Sequence, residues 1–234
     1  MPGRYYGYYY YDPTYMLIVI SALISLFAQF LVNSRFSKYS RVRSRSGMTG
    51  AQAAERILQS QGIYDVAIQR VSGKLTDHYD PRNKTLNLSD AVYASTSVAA
   101  VGVAAHECGH AVQHQVGYVP IKIRNGIVPI VNVCNTLSMP IFIIGLILGL
   151  GRLAMVGAIL FGAVLVFQLV TLPTEINASR RAMKTLESMY LLEGDELTGA
   201  RKTLTAAAMT YVAAVASTAL QFLRLVLLAN RRRD

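Results

Sequence analysis

Four stretches without a charged residue dominate this chain. They cover residues 13–34, 125–151, 153–174 and 203–223, and only Arg152 separates the second from the third. A helix of about 20 apolar residues crosses a hydrocarbon core of roughly 30 Å, so each stretch is long enough to span a membrane. The fourth is the most polar, because threonine, serine and glutamine recur along it. The sequence therefore predicts a mainly α-helical membrane protein with three to four transmembrane helices.

Composition agrees with a membrane protein and argues against a nucleic-acid partner. Charged residues make up 15% of the 234 residues, against about 25% in soluble domains. The net charge is +10, but the basic residues cluster at the ends of apolar stretches, where they fix topology or contact lipid headgroups. We therefore predict the lipid bilayer as a partner and no nucleic acid. The two cysteines, Cys108 and Cys134, are too few for a disulfide framework.

Charge also predicts the topology. Only Arg4 precedes the first stretch, whereas five basic residues follow it between Arg35 and Arg45. By the positive-inside rule the N-terminus lies outside and the next segment is cytoplasmic, so we expect a multi-pass protein of the cell membrane. A hairpin of two spans returns the chain to the cytoplasmic side. If the fourth stretch also crosses, the arginines at 231–233 lie outside against the rule, so whether it spans stays open.

The water-facing segments carry their own secondary-structure signals. Thr49 and Gly62 are typical of the start and stop of a short helix, and VAIQRV and TLNLS are strand-like pieces joined by a turn-rich segment. A helix is predicted over 95–117, and two more, broken near Gly194, over 173–205. In chain order we predict a tyrosine-rich tail at 1–15, a transmembrane helix at 16–33, a cytoplasmic α+β segment at 34–124, a transmembrane hairpin at 125–174, cytoplasmic helices at 175–205, an apolar helix at 206–229 and a basic tail at 230–234.

The segment HECGH contains the residue types of a metal site. On a helix, His106 and His110 lie one turn apart on the same face, which suits two nitrogen ligands of zinc. Glu107 is placed to reach a water molecule beside the metal. Zinc lowers the pKa of such a water towards 7, and the carboxylate takes its proton as it attacks a carbonyl carbon. This is the chemistry of the HExxH signature, and it predicts a zincin-type motif helix.

A catalytic zinc needs a third protein ligand. His114 lies two turns, about 12 Å, from His106 and cannot share its ion. Glu175 is the strongest candidate, because it follows the third span at the predicted membrane exit and two crossings bring it back to the side of the motif. Its alternative role is to cap a helix that starts after Pro173.

Three segments carry a family resemblance: GKLTDHYDPRNKTLNLSDAVY, SVAAVGVAAHECGHAVQHQ and LPTEINASRRA. Together they resemble the YugP-type membrane zinc metallopeptidases, also called neutral zinc metallopeptidase family 2, and are distantly similar to HtpX-type and CAAX prenyl proteases. The resemblance implies a gluzincin-like site with His106, His110 and Glu175 as ligands and Glu107 as general base. The two broader groups carry an aspartate at the position of Ser179. The residue that holds a ligand histidine in place by a hydrogen bond is therefore unassigned. Asn177 or Ser179 could supply that bond instead of the aspartate.

Other residues are weaker candidates for the site. Tyr211 is a candidate to donate a hydrogen bond to the oxyanion; alternatively, its hydroxyl bonds to a partner within the helix bundle. His78 is a candidate to bind the transition state; alternatively, it is only a turn residue. Arg224 lies within an apolar run and is expected to snorkel or to pair with a carboxylate. TLNLS is a candidate edge strand that could pair with an extended peptide, with an ordinary strand of a small sheet as the alternative.

The predicted function is a zinc metallopeptidase of the EC 3.4.24 type, with one Zn²⁺ and its active site at the cytoplasmic face. It would hydrolyse peptide bonds in membrane or membrane-proximal proteins. The main alternative is a non-enzymatic membrane scaffold whose zinc only stabilises the fold, which predicts a fourth protein ligand such as His78 or His114. A small transporter is a further alternative, but it predicts charged groups near the bilayer midplane, and the first three apolar stretches contain no charged residue.

Overall fold

A computed structural model describes residues 12–231. The tyrosine-rich tail therefore lies almost wholly outside the described residues, as do the last three residues of the basic tail. Seven helices and three strands follow one another in the described chain. Their bounds are α1 Tyr15–Tyr39, α2 Gly50–Ser60, β1 Ala67–Val71, β2 His78–Asp80, β3 Thr85–Ser89, α3 Asp90–Tyr93, α4 Val98–Gln115, α5 Val119–Ile147, α6 Gly151–Ser188 and α7 Gly194–Asn230.

Four of these helices, α1, α5, α6 and α7, are long and apolar enough to cross a membrane. Their outer faces carry large apolar side chains that are well exposed, such as Leu26, Phe30 and Ile147. In water such faces would be costly, whereas in lipid they need no cover. The fold therefore agrees with the predicted class: a mainly helical protein with candidate membrane spans and one small sheet.

Helix α7 lies antiparallel along α1. The hydroxyl of Ser217 donates to the carbonyl of Ser21 at 3.0 Å and lies 3.0 Å from that of Ser25. Arg231, just past the end of α7, pairs with Asp12, just before the start of α1, at 2.8 Å. Helix α7 thus extends over the full length of α1. The fourth apolar stretch lies in α7, so it would cross a membrane wherever α1 does.

Arg224 has a different partner from the carboxylate expected. Its guanidinium carbon lies 5.3 Å from the centre of the Tyr15 ring, a distance at which a cation is attracted to the ring face. The Nε atom is buried without a hydrogen-bond partner among the described residues. Of the two expectations for Arg224, the ion pair with a carboxylate does not form among the described residues, and the guanidinium lies over the Tyr15 ring instead.

Helices α5 and α6 form the predicted hairpin, and small residues bring them together. A Cβ on Gly157 would lie 2.5 Å from the backbone nitrogen of Phe142, so only glycine permits this approach. Helix α6 then continues through Pro173 to Ser188 as one helix. The hydroxyls of Thr171 and Thr174 donate to carbonyls one turn earlier, the kind of local bonding that lets a spanning helix tolerate proline. A separate helix starting after Pro173 is thus wrong, and Glu175 is not a cap.

The small sheet has the order β1-β3-β2, with β1 parallel and β2 antiparallel to β3. The strand TLNLS is β3, so it is the central strand and the expectation of an edge strand there is wrong. Its burial explains the position, because Leu86 and Leu88 are fully buried in the core. Strand β2 lies in the turn-rich segment, where no strand was predicted.

Helix α4 occupies the centre of the water-facing part. Ser97 caps it by accepting from the backbone N–H of Ala100 at 3.2 Å, and 14 of its 18 residues are buried. It packs against α2, α6, α7 and the sheet. The HECGH segment is therefore largely buried among these elements rather than exposed on the surface.

Candidate metal centre

Three side chains from two helices meet at the end of the bundle next to the α+β segment. His106 and His110 lie on α4 and Glu175 on α6, and one ligand atom of each lies within 4.8 Å of the others. Glu175 Oε2 is 3.2 Å from His106 Nε2 and 3.4 Å from His110 Nε2. The structure thus brings together the three residues predicted as ligands, although 69 residues separate the first from the last.

The spacing of these atoms suits a zinc ion. Zinc with nitrogen and oxygen ligands at 2.0–2.2 Å in a tetrahedron implies neighbouring ligand atoms about 3.3 Å apart, close to the two distances observed. Two imidazoles and one carboxylate are also a ligand set known for catalytic zinc. All three side chains are largely shielded, with 13%, 9% and 3% of their surfaces exposed. The residues present therefore fit the metal that the motif predicts.

A close helix contact makes this meeting possible. Gly109 lies between the two histidines, and a Cβ there would come 2.7 Å from the carbonyl oxygen of Ala178. Ala178 itself lies between Glu175 and Ser179 on α6. Glycine and alanine thus let α4 and α6 approach at the level of the three ligand groups.

Hydrogen bonds fix the outer nitrogen of each histidine. Ser179 Oγ lies 3.1 Å from His106 Nδ1, so serine takes the place of the aspartate of the broader groups. Gln113 Oε1 lies 3.0 Å from His110 Nδ1. Asn177 contacts neither histidine directly but accepts from the Gln113 amide at 3.0 Å. In both histidines Nε2 is left facing Glu175, as metal binding requires.

Glu107 is buried beside the ligands and points into the same cavity. Burial raises the pKa of its carboxyl group, while the nearby histidines oppose the rise. Burial also opposes protonation of His110, but the neighbouring Glu175 carboxylate outweighs it and raises the pKa of His110. A carboxylate with a raised pKa is a stronger base than an exposed one, which suits proton transfer near neutral pH.

One cavity of about 160 Å³ opens onto the three ligand residues. Strand β2 and helices α4 to α7 all contribute to its wall. The residues that line it are Asp77, His78, Tyr79, Pro81, His106, Glu107, His110, Ile121, Arg124, Asn125, Glu175 and Tyr211. A larger hollow of about 510 Å³ lies between α2 and β1, but its lining contains no histidine and a single carboxylate, Glu55. The smaller cavity is therefore the candidate site.

Tyr211 and His78, the two weaker candidates for the site, both line this cavity. Tyr211 lies on α7 and lines the cavity together with the three ligand residues. His78 already has partners: Nδ1 lies 2.9 Å from the Thr76 carbonyl and Nε2 lies 3.2 Å from the Asn87 amide nitrogen. His78 would have to release one of these contacts to bind a substrate.

Sequence reasoning missed three residues at the site: Arg124, Asp77 and the Gln113 described above. Arg124 Nη1 lies 3.5 Å from Glu175 Oε1, and its only signal in the sequence is a cation at the start of an apolar stretch. Asp77 accepts from the backbone N–H and the hydroxyl of Ser89 at 2.7 and 3.0 Å, and burial raises its pKa. It ties the loop before β2 to the end of β3. His114 bonds to the Tyr79 hydroxyl at 2.9 Å and stays outside the ligand group.

A helical bundle with candidate membrane spans and an HExxH helix joined to a distant glutamate defines the class of membrane metallopeptidases. Residues 14–230 match the profile of the family described as "Putative neutral zinc metallopeptidase", and the chain belongs to that family. It is 44% identical over 221 residues to the protein described as "Putative membrane protease YugP" from Bacillus subtilis (strain 168). The match covers 94% of this chain and 98% of the relative. No solved structure matches the chain.

Proposed function

We propose that this protein is a zinc endopeptidase that cleaves membrane or membrane-proximal proteins. The observation that carries the proposal is the convergence of His106, His110 and Glu175 in one cavity with the buried carboxylate of Glu107. Membership of a zinc metallopeptidase family supports the metal, and the name of the Bacillus relative supports a protease in a membrane. Four apolar helices support a multi-pass protein.

In this proposal the two histidines and Glu175 hold the metal and Glu107 handles protons. A zinc ion held there would supply the Lewis acidity that lowers the pKa of a bound water towards 7. Glu107 would take one proton from that water as its oxygen attacks the peptide carbonyl carbon. It would then give the proton to the amine that leaves when the C–N bond breaks. Tyr211 and Arg124 line the same cavity and are the candidates to donate to the oxyanion that develops on the carbonyl oxygen.

An extended substrate would bind along β2. This strand is at an edge of the sheet, and His78 and Tyr79 from it line the cavity. A free edge can pair with a peptide through main-chain hydrogen bonds, which would bring the peptide carbonyl to the ligand group. We therefore propose that β2, rather than TLNLS, is the strand that pairs with the peptide.

We further propose the cell membrane as the location and its cytoplasmic side for the active site. The basic residues after α1 support this orientation by the positive-inside rule. Helix α7, which lies along all of α1, would then cross as the fourth span and place Arg231 outside. There Arg231 pairs with Asp12, so part of its charge is compensated.

The rival scaffold function predicts a closed zinc site with four protein ligands. Among residues 12–231, only His106, His110 and Glu175 form a group that could hold a metal. His78 and His114, the two candidates for a fourth ligand, bond to other partners. A zinc ion held by three protein ligands, rather than four, suits a catalytic site better than a structural one.

The direct test compares Glu107→Gln with wild type in peptide cleavage and in zinc content by mass spectrometry. We expect cleavage to fall at least about a hundredfold, because general acid–base catalysis contributes 10²–10⁴, while zinc stays bound. The exposed Glu187→Gln is the matched control and should keep full activity. Cleavage that survives Glu107→Gln would exclude Glu107 as the base.

The same assays test the third ligand. Glu175→Ala removes one of the three ligand atoms that meet on α4 and α6, so we expect both zinc and cleavage to be lost. Retention of one zinc per chain by this variant would exclude Glu175 as a ligand.

A further inference from the structure

A second hollow, of about 350 Å³, lies between α6 and α7 on the end of the bundle that carries the metal centre. We call it the α6–α7 groove. Its wall is apolar for most of its area. The apolar residues that line it are Ile176, Met183, Leu204 and Ala208.

Two arginines line the same groove. Arg180 on α6 and Arg201 on α7 are both exposed, and neither forms an ion pair with any residue of the described chain. No carboxylate lines the groove. Two like charges that share one hollow repel each other, and an anion that lies between them offsets this repulsion. The charge pattern of the groove is therefore complementary to an anionic group.

The groove begins where two charge-free stretches end. The charge-free stretches of α6 and α7 end at Thr174 and begin at Thr203, so the arginines flank the apolar spans. From Ile176 to Met183 the helix rises about 10 Å, which takes the groove from the edge of the hydrocarbon core into the headgroup region. An apolar wall below and two cations above match the two halves of a phospholipid.

We propose that the α6–α7 groove binds one anionic phospholipid. Its phosphate lies between the guanidinium groups of Arg180 and Arg201, which bind phosphate oxygens through charge-assisted, forked hydrogen bonds. One acyl chain follows the apolar wall formed by Ile176, Leu204 and Ala208 towards the bilayer. Anionic lipids are enriched in the cytoplasmic leaflet, the side proposed for this end of the bundle.

The groove also touches the support of the metal centre. Ser179 lines it, and its hydroxyl lies 3.1 Å from His106 Nδ1. A lipid in the groove would pack against Ser179 and restrict the hydroxyl that orients one proposed zinc ligand. Its presence should therefore raise the affinity for zinc. This coupling depends on the proposed function, whereas the binding of the lipid does not.

The test measures lipid retained by the full-length protein. Protein purified in detergent is incubated with phosphatidylglycerol or phosphatidylcholine, and bound lipid is counted by native mass spectrometry. We expect one phosphatidylglycerol per chain and much less phosphatidylcholine. The double variant Arg180→Gln/Arg201→Gln should lower bound phosphatidylglycerol about tenfold or more, because two charge-assisted contacts are lost.

The matched control is Lys184→Gln/Lys202→Gln, which removes the same charge from the same two helices outside the groove. It should retain the lipid. Equal losses in both double variants, or equal retention of phosphatidylcholine by wild type, would overturn the site. Inorganic phosphate at millimolar concentration should not displace the lipid; displacement would assign the arginines to free phosphate instead. Circular dichroism confirms that each variant is folded.

The coupling has its own measurement. Zinc affinity, determined against a chelator, should rise when phosphatidylglycerol is added to wild type but not to Ser179→Ala. If the lipid binds and zinc affinity does not respond, the lipid site stands and the coupling fails. If no zinc binds in any lipid, the proposed function fails while the lipid count is unaffected.

Discussion

Gln113 connects the two helices that carry the metal centre. Its Nε2 donates both hydrogens, one to the Thr174 carbonyl at 2.8 Å and one to Asn177 Oδ1 at 3.0 Å. The same Asn177 oxygen accepts from Arg181 Nε at 2.8 Å. Since arginine only donates, the direction of every bond in this chain is fixed. Gln113 Oε1 must then accept from His110 Nδ1, which leaves Nε2 of His110 free to bind a metal.

Gln113→Leu should therefore weaken zinc binding without removing a ligand. Loss of a partner that orients a ligand histidine lowers metal affinity by about 10–100-fold, and we expect a change in this range. The measurement is competition for zinc with a chelator of known affinity. Gln115→Leu, an exposed position on the same helix, is the control and should bind zinc like wild type. Equal affinity in the two variants would show that Gln113 has only a packing role.

At the scale of residues, the sequence predicted the groups whose relation is local or fixed by topology. His106 and His110 are one turn apart on any helix, and two crossings return Glu175 to their side. Arg124 could not be found in this way, because its distance from Glu175 depends on how α5 packs against α6. The roles of Gln113 and Ser179 as partners of the histidines also depend on the approach of α4 and α6.

That approach makes Gly109 a sensitive position at the scale of elements. In Gly109→Ala the new Cβ would meet the Ala178 carbonyl at 2.7 Å, and neither atom belongs to a flexible side chain. Helix α4 must then move away from α6, at a cost of about 1–3 kcal/mol in the free energy of unfolding. The histidines move away from Glu175 as well, so zinc affinity should fall with stability.

The matched variant is Gly126→Ala on α5, where an added Cβ would have no atom within 4 Å. Alanine favours a helix over glycine by about 1 kcal/mol, so this change should be neutral or stabilising. Thermal unfolding and zinc content, measured for both variants, show whether the close contact between α4 and α6 is required. A Gly109→Ala protein with normal unfolding and normal zinc would show that the contact between α4 and α6 is not required.

Elements were predicted best where their signals were strong and local. The cap at Thr49 is present, with its oxygen accepting from the Gln52 N–H at 3.2 Å, and the strands β1 and β3 lie within the segments predicted for them. Strand β2 has only three residues, too few for an alternating pattern, and it exists because His78, Tyr79 and Asp80 pair with β3. The helix start expected after Pro173 is absent, because a spanning helix tolerates proline.

For the whole molecule, the bundle constrains which ends share a side. Helices α1 and α7 are antiparallel, and the α5–α6 hairpin places Glu175 beside α4. The loop between α5 and α6, at residues 148–150, must then lie on the side opposite the metal centre. The orientation proposed above from the charge rule puts that loop outside and the α+β segment in the cytoplasm. It therefore predicts the accessibility of each segment to a reagent that cannot cross the membrane.

Single cysteines test this topology. Leu148 and Tyr64 are 61% and 81% exposed, the first in the hairpin loop and the second in the α+β segment. The background carries Cys134→Ser but keeps Cys108, since burial raises the pKa of its thiol and a neutral thiol reacts poorly with maleimide. On intact cells an impermeant maleimide should label Leu148→Cys and not Tyr64→Cys, and both should react after permeabilisation. The reverse pattern would place the metal centre outside, and labelling of both in intact cells would mean that the two segments share a side, which the hairpin does not allow.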